Sequence, residues 1–259
     1  MRCLHQIIKE WSSQHDIETS TDVFEVRIKN EVPDLSYDIY ISTGGPGSPL
    51  DSEGSEWETL YFNWLTQVQE WNNSEQQPKK FVFFICHSFQ LVCRHYGIAD
   101  ISKRKSTSFG VYPVHVTLEG QKDPLFRGLP DPFYVVDSRD YQVTLPDFSK
   151  LKMLGAEILC IEKYRPHVPY AQALMGVRFN DYMVGTQFHP EADAEGMSMY
   201  LQTEERKKTV IENHGFEKWE SMVLQLNDPD KIMFTYAHLL PNFLSEAHGQ
   251  LHQQLVEHE

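Results

Sequence analysis

The chain has 259 residues, 41% of them apolar and 23% charged, with 14 Gly and 14 Pro. That is enough chain for one large α/β domain, and the composition excludes collagen-like and low-complexity classes. The 23 Lys and Arg against 37 Asp and Glu leave a net charge of −14, a surface that repels phosphate backbones and argues against nucleic-acid binding.

No run approaches the ~20 apolar residues that span a bilayer, and no basic start leads into an apolar stretch. A soluble, cytoplasmic protein with no membrane contact is therefore expected. In chain order, Cys3, Leu4, Ile7, Ile8 and Trp11 recur at helical spacing, so Met1 to Gln14 reads as a helix. Val23 to Ile28 is rich in β-branched residues and reads as a strand, as does Asp38 to Thr43, which stops at Gly44-Gly45-Pro46-Gly47-Ser48-Pro49. Glu56 to Trp71 is helical. Lys80 to Ile85 is uniformly apolar, the pattern of a parallel strand buried on both faces. A helix follows from His87 to Tyr96 and ends at Gly97.

From Ser106 to Tyr182 the pattern shifts to short strands, Tyr112–Leu118, Phe133–Val136, Glu157–Glu162 and Tyr170–Val177. Met183 to Phe188 is a last strand, followed by His189-Pro190-Glu191. From Ala194 the chain is helical and charged, broken at Asn227-Asp228-Pro229, with a final helix up to about Ala247. The alternation of strand and helix predicts a three-layer α/β domain over 1–192 with a mainly parallel central sheet, and a helical C-terminal extension over 193–259. That extension is expected to cover the sheet edge or a dimer contact.

The four cysteines, Cys3, Cys86, Cys93 and Cys160, are too scattered for a disulfide framework or a zinc pair. Cys86 ends a buried strand just before a helix, where the helix dipole favours a thiolate and a strand–turn–helix exposes a nucleophile. The alternative is a buried core thiol, the commoner role for a cysteine. His189 also ends a strand, and parallel strands share one C-terminal edge, so the two can meet there. Glu191 is placed to orient the imidazole. For His189 taken alone, solvation beside a turn proline is the alternative. The glycines of Thr43 to Ser48 can turn backbone N–H groups toward an oxyanion, or form a plain turn. No phosphate-binding loop or dinucleotide motif occurs, and no cofactor or metal is expected.

The motifs Ile41-Ser42-Thr43-Gly44-Gly45-Pro46-Gly47-Ser48-Pro49, Ile85-Cys86-His87-Ser88-Phe89-Gln90 and Gly185-Thr186-Gln187-Phe188-His189-Pro190-Glu191, in that order, resemble the class I glutamine amidotransferase family. Within it the resemblance is to stand-alone members similar to the amidotransferase part of GMP synthase, and Asp123 to Pro130 is similar to the family's middle segment. The resemblance covers about residues 20–192. It implies a flavodoxin-like fold and glutaminase chemistry, with Cys86 as nucleophile, His189 as base and Glu191 as its orienter. It further implies Gly45 and His87 N–H groups at the oxyanion, and Gln90 and Ser138 at the substrate, glutamine or a γ-glutamyl compound. Ammonia would pass to a synthetase partner on another chain. The oligomeric state is left open.

This sequence departs from the family at three positions. Phe84 and Ser88 stand where the family elbow has glycines, and Arg139 replaces the histidine of a Ser-His-x-Asp stretch. Arg139 adds a fixed charge that can bind a carboxylate. These departures keep two rivals open: a γ-glutamyl hydrolase with the same triad, and a non-catalytic protein that retains the fold. The family's opening apolar strand also has no obvious counterpart; either Met1–Ile8 serves as it or the sheet lacks it. Cys93, two turns beyond Cys86, is read as structural. Trp219, Met222 and Leu226 are read as packing residues, Glu204 to Lys208 as a solvated face, and His248, His252 and His258 as a solvated tail.

Overall fold

Lys80 to Ile85 is apolar on both sides because it runs through the middle of a sheet. In the computed structural model, which describes residues 1–167, 169–228 and 230–256, β2 (Phe81–Ile85) lies between two parallel neighbours, β1 (Ile39–Ser42) and β7 (Met183–Thr186). All β2 side chains are buried. Beyond β7 come β6 (Leu174–Asn180), β5 (Glu157–Glu162), β3 (Asp100–Val116) and β4 (Phe133–Thr144), in the spatial order β1-β2-β7-β6-β5-β3-β4.

Every pairing from β7 to β4 is antiparallel, so the sheet is mixed rather than mainly parallel. A helical crossover joins β1 to β2, whereas β6 runs into β7 through a two-residue turn, a link that permits only antiparallel pairing. This half curls back on itself. The outer edge of β4 reaches the chain after β7, where Val136 bridges His189 and accepts its N–H at 3.0 Å.

Helices close both faces, giving the expected three layers. On one face α1 (Arg2–His15) and α9 (Ile232–Val256) bury Leu4, Trp11, Leu240 and Phe243 against Phe81, Phe83 and Ile85. On the other, α3 (Glu56–Asn73), α4 (His87–Tyr96) and α5 (Phe148–Leu154) bring Trp64, Leu65, Phe89 and Leu151 together with Val82 and Phe84. Gly97 takes the left-handed conformation that ends α4. Three further helices, α6 (Ala194–Leu201), α7 (Glu204–His214) and α8 (Phe216–Leu226), enclose a smaller cluster that includes Met222 and Leu226. Trp219 packs against it and donates to Leu201 O at 2.8 Å. No helix among the described residues is long and apolar enough to cross a membrane.

Several elements differ from expectation. Val23 to Ile28 forms no strand; only Val26–Lys29 is ordered locally, as the short helix α2, and Ile28 is 83% exposed. β propensity without a partner strand does not make a ladder. Met1–Ile8 lies in α1 and is not a strand. β3 and β4 are longer than expected because their polar stretches pair with each other, with an irregularity between Lys103 and Ser108. β6 begins only at Leu174, and β7 ends at Thr186. α9 continues to Val256 and packs on the sheet face rather than its edge. His248 belongs to α9 and meets Trp11 edge-on at 5.9 Å, so it is not a solvated tail residue. His258 lies outside the described residues. Among those described, no group of three or more His, Cys, Asp or Glu is arranged to hold a metal.

Candidate active site

Register decides what meets at the sheet's edge. Ser42 pairs with Phe84, and Ile85 with Thr186, so β1, β2 and β7 end level with one another. The chain leaving them carries Gly44, Cys86 and His189 into one place. Cys86 caps α4 with φ 53° and ψ −101°, a conformation that residues with a side chain rarely adopt. Neighbouring bonds impose it: Cys86 N–H donates to Thr186 O at 2.8 Å, and Cys86 O accepts from Gln90 N–H at 3.0 Å. Ser88 reinforces the turn, since its hydroxyl accepts from Ile85 N–H at 2.9 Å and donates to Ser42 O at 2.6 Å. A glycine there would make neither bond.

His189 and Glu191 are 2.9 Å apart, Nδ1 to Oε1. Burial alone would lower the His189 pKa, but the neighbouring Cys86 and the bonded Glu191 carboxylate push it up to about 11. The Glu191 carboxylate beside Nδ1 thus favours the protonated ring. Glu191 Oε2 is buried without a protein partner. Cys86 is only 6% exposed. Its Sγ lies 4.0 Å from Ser138 O and 3.9 Å from Gln187 Nε2.

The residues expected at the oxyanion and substrate are spread around the thiol. Gly44 lies directly against Cys86 and His189: a Cβ on it would lie 3.1 Å from His189 Cε1 and 3.2 Å from Cys86 Cβ. Gly45 is covered by Arg27, whose Nη1 would be 2.6 Å from an added Cβ. His87 is buried, and its N–H falls in the first turn of α4, where backbone donors have no helical partner. Its imidazole pKa is pushed down to about 4 by burial and then by the Arg27 charge, so the ring is neutral. Gln90 is also buried, and its Nε2 donates to Gln187 Oε1 at 3.0 Å and to Tyr141 O at 3.2 Å. It therefore reaches Cys86 through Gln187. Ser138 meets the sulfur with its carbonyl while its side chain is exposed.

The departures have structural accounts. Phe84 points away from the thiol into the α3–α4 core, where Gly185 on β7 leaves it room. Arg139 is turned into the interior with only 1% of its side chain exposed, and its Nε lies 2.9 and 3.0 Å from the two Asp137 oxygens. Cys93 is fully buried, and burial pushes its thiol far up, which suits a structural role. Sequence reasoning passed over Gln187 and Gly44 as individuals. The signal for Gln187 is an amide in the largely apolar run Met183 to Phe188.

The family described as glutamine amidotransferase class-I matches residues 4–205, and the chain belongs to it. Among solved structures, a glutamine amidotransferase from Thermotoga maritima superposes with a TM-score of 0.67 at 18% identity, covering 93% of this chain and 91% of that one. A candidate GMP synthase subunit from Thermoplasma acidophilum gives 0.55 at 16% identity, covering 97% and 91%. At such identities these likenesses speak for the fold. A homoserine O-acetyltransferase from Phocaeicola vulgatus is 24% identical over 72% of this chain, which spans 59% of that protein's length.

Proposed function

We propose that the chain is a cysteine-dependent glutamine amidohydrolase. The observation that supports this reading is that Cys86 and His189 both flank Gly44 while Glu191 holds His189 Nδ1 at 2.9 Å. Cys86 Sγ attacks the γ-amide carbon of glutamine, with His189 carrying the thiol proton. The tetrahedral oxyanion faces the N–H groups of Gly45 and His87, each worth about 3 kcal/mol in a preorganised site. His189 returns the proton to the departing amide nitrogen, which leaves as ammonia. Water, deprotonated by His189, then cleaves the γ-glutamyl thioester to glutamate and frees the thiol. Gln90 supports the sulfur through Gln187, and Ser138 O stands beside the bound acyl group. The released ammonia would serve an acceptor site on a synthetase partner.

The homoserine O-acetyltransferase likeness favours a second reading, in which the acyl group on Cys86 is passed to a hydroxyl rather than to water. The test is ammonia release from glutamine, wild type against Cys86→Ala, with a γ-glutamyl dipeptide, and an acetyl ester with homoserine, run in parallel. Ammonia that disappears in Cys86→Ala supports the amidohydrolase. Faster cleavage of the dipeptide moves the activity to a γ-glutamyl hydrolase, and O-acetylhomoserine moves it to acyl transfer. No Cys86-dependent turnover of any substrate sinks the reading.

A further inference from the structure

We infer that Arg27 is a positioning residue of the candidate site, acting through the Pro46 carbonyl to hold the Gly44–Gly45 peptides in place beside Cys86. The inference rests on the glutaminase reading and adds to it a residue outside the family motifs.

The loop from Thr43 to Ser48 contains Gly44, Gly45 and Gly47, the last at φ +102°, so its own backbone does little to fix its shape. Side-chain donors hold its carbonyls instead. Ser88 donates to Ser42 O at one end, and Arg94 donates to Pro49 O just beyond the other. Both belong to α4, the helix that carries the nucleophile. The middle is held from the opposite side: Arg27 Nη1 donates to Pro46 O at 2.6 Å.

The Arg27 guanidinium lies over the Trp57 ring, 5.3 Å from its centroid. It covers Gly45 so closely that a Cβ there would collide with Nη1. Packing does not replace it. Behind the loop is a cavity of about 610 Å³, bordered by β1, Trp57, Tyr61, Trp64 and His87. A glycine-rich loop that borders this cavity and abuts both Cys86 Cβ and His189 Cε1 will pass any displacement to the oxyanion donors. Such donors act only when they are preorganised. Arg27 itself is exposed, so its removal leaves the core intact.

The experiment compares wild type, Arg27→Ala and Arg27→Lys by glutaminase kinetics and by amide hydrogen exchange of a peptide covering residues 43–50. Arg27→Ala is expected to lower kcat roughly tenfold with KM within about twofold, as loosening rather than deleting an oxyanion donor should. Exchange should quicken in the 43–50 peptide and stay unchanged in β2. Arg27→Lys should recover part of both effects, since an ammonium can reach the carbonyl but lacks the planar fork. Alkylation of Cys86 by iodoacetamide should be unaltered, which separates loop positioning from general damage to the site. An active wild type whose kcat survives Arg27→Ala overturns the inference, whatever the exchange shows. A wild type inactive on glutamine sinks the glutaminase reading instead. Loop exchange then decides the Arg27 contact alone: faster exchange in Arg27→Ala upholds it, and equal exchange overturns it.

Discussion

A Cβ placed on Gly185 would lie 2.9 Å from the Cβ of Phe84, its register partner on β2, and 2.9 Å from the Phe84 carbonyl. The strand before Cys86 thus accommodates a large aromatic two residues ahead of the thiol because the neighbouring strand gives up its side chain. Phe84 then meets Phe179 edge-on at 5.8 Å, and the elbow forms without a glycine at that position.

Gly185→Ala is therefore expected to destabilise the protein by about 1–3 kcal/mol, the usual range for overpacking a rigid core. Urea unfolding should show a lower midpoint with an unchanged slope. Phe84→Ala in the same chain should recover none of the loss, because alanine keeps both the Cβ and the carbonyl that stand in the way. Full recovery, or no loss to begin with, would contradict the packing account.

The His189–Glu191 contact makes a pH-dependent prediction. Because the folded pKa of His189 is raised from the ordinary 6.5 to about 11, the imidazolium contributes stability in full below pH 6.5. That contribution is lost as the pH climbs toward 11. Glu191→Gln keeps an acceptor for Nδ1 but removes the charge, so it forfeits part of the elevation, at about 1.4 kcal/mol per unit. Its stability deficit against wild type should be about 1–2 kcal/mol at pH 6 and should shrink by pH 10. Equal deficits at both pH values would remove Glu191 as a cause of the shift.

Much of this was readable from the residues. β2 and α4 announced themselves through an unbroken apolar run and a closing glycine, and the level ends of parallel strands follow from that reading. Other features depended on partners the sequence does not display. Val23 to Ile28 has strand composition, yet no strand lies beside it, and Arg27 is drawn instead to a carbonyl nineteen residues on. The polar middle of β3 and β4 carries no apolar alternation because Ser108 and Arg139 both donate to Asp137 inside the curl. Gly44 and Gly45 are adjacent in sequence and chemically identical, so only the backbone path shows which one faces the thiol.

Gln90 and Gln187 form one buried amide chain ending at the sulfur, with Gln90 Nε2 donating to Gln187 Oε1 and Gln187 Nε2 facing Cys86 Sγ. Each change to leucine should cost about 1–3 kcal/mol by stranding the other amide. The double variant should cost less than the sum by roughly 0.5–3 kcal/mol, as expected for groups in direct contact. A denaturant double-mutant cycle measures the coupling. Additive losses would mean that the two amides act independently.

The C-terminal helix supplies the last prediction. Phe243 is 2% exposed and sits edge-on to Phe83 at 5.1 Å, in the same core as Trp11 and Ile85. Polar ties hold α9 in register: Thr235 Oγ1 donates to Tyr134 O at 2.6 Å, and Asn242 Nδ2 to Leu125 O at 2.9 Å. A helix so joined should unfold with the sheet and not before it. Phe243→Ala is expected to cost about 3–5 kcal/mol, the range for emptying a buried aromatic site. Phe234→Ala, at a residue 37% exposed on the same helix, should cost much less. Both variants should still melt in one transition when followed by far-UV circular dichroism and tryptophan fluorescence. An early, separate transition in Phe243→Ala, or equal losses from the two variants, would show that α9 is an appendage that the β1-β2-β7 core does not need.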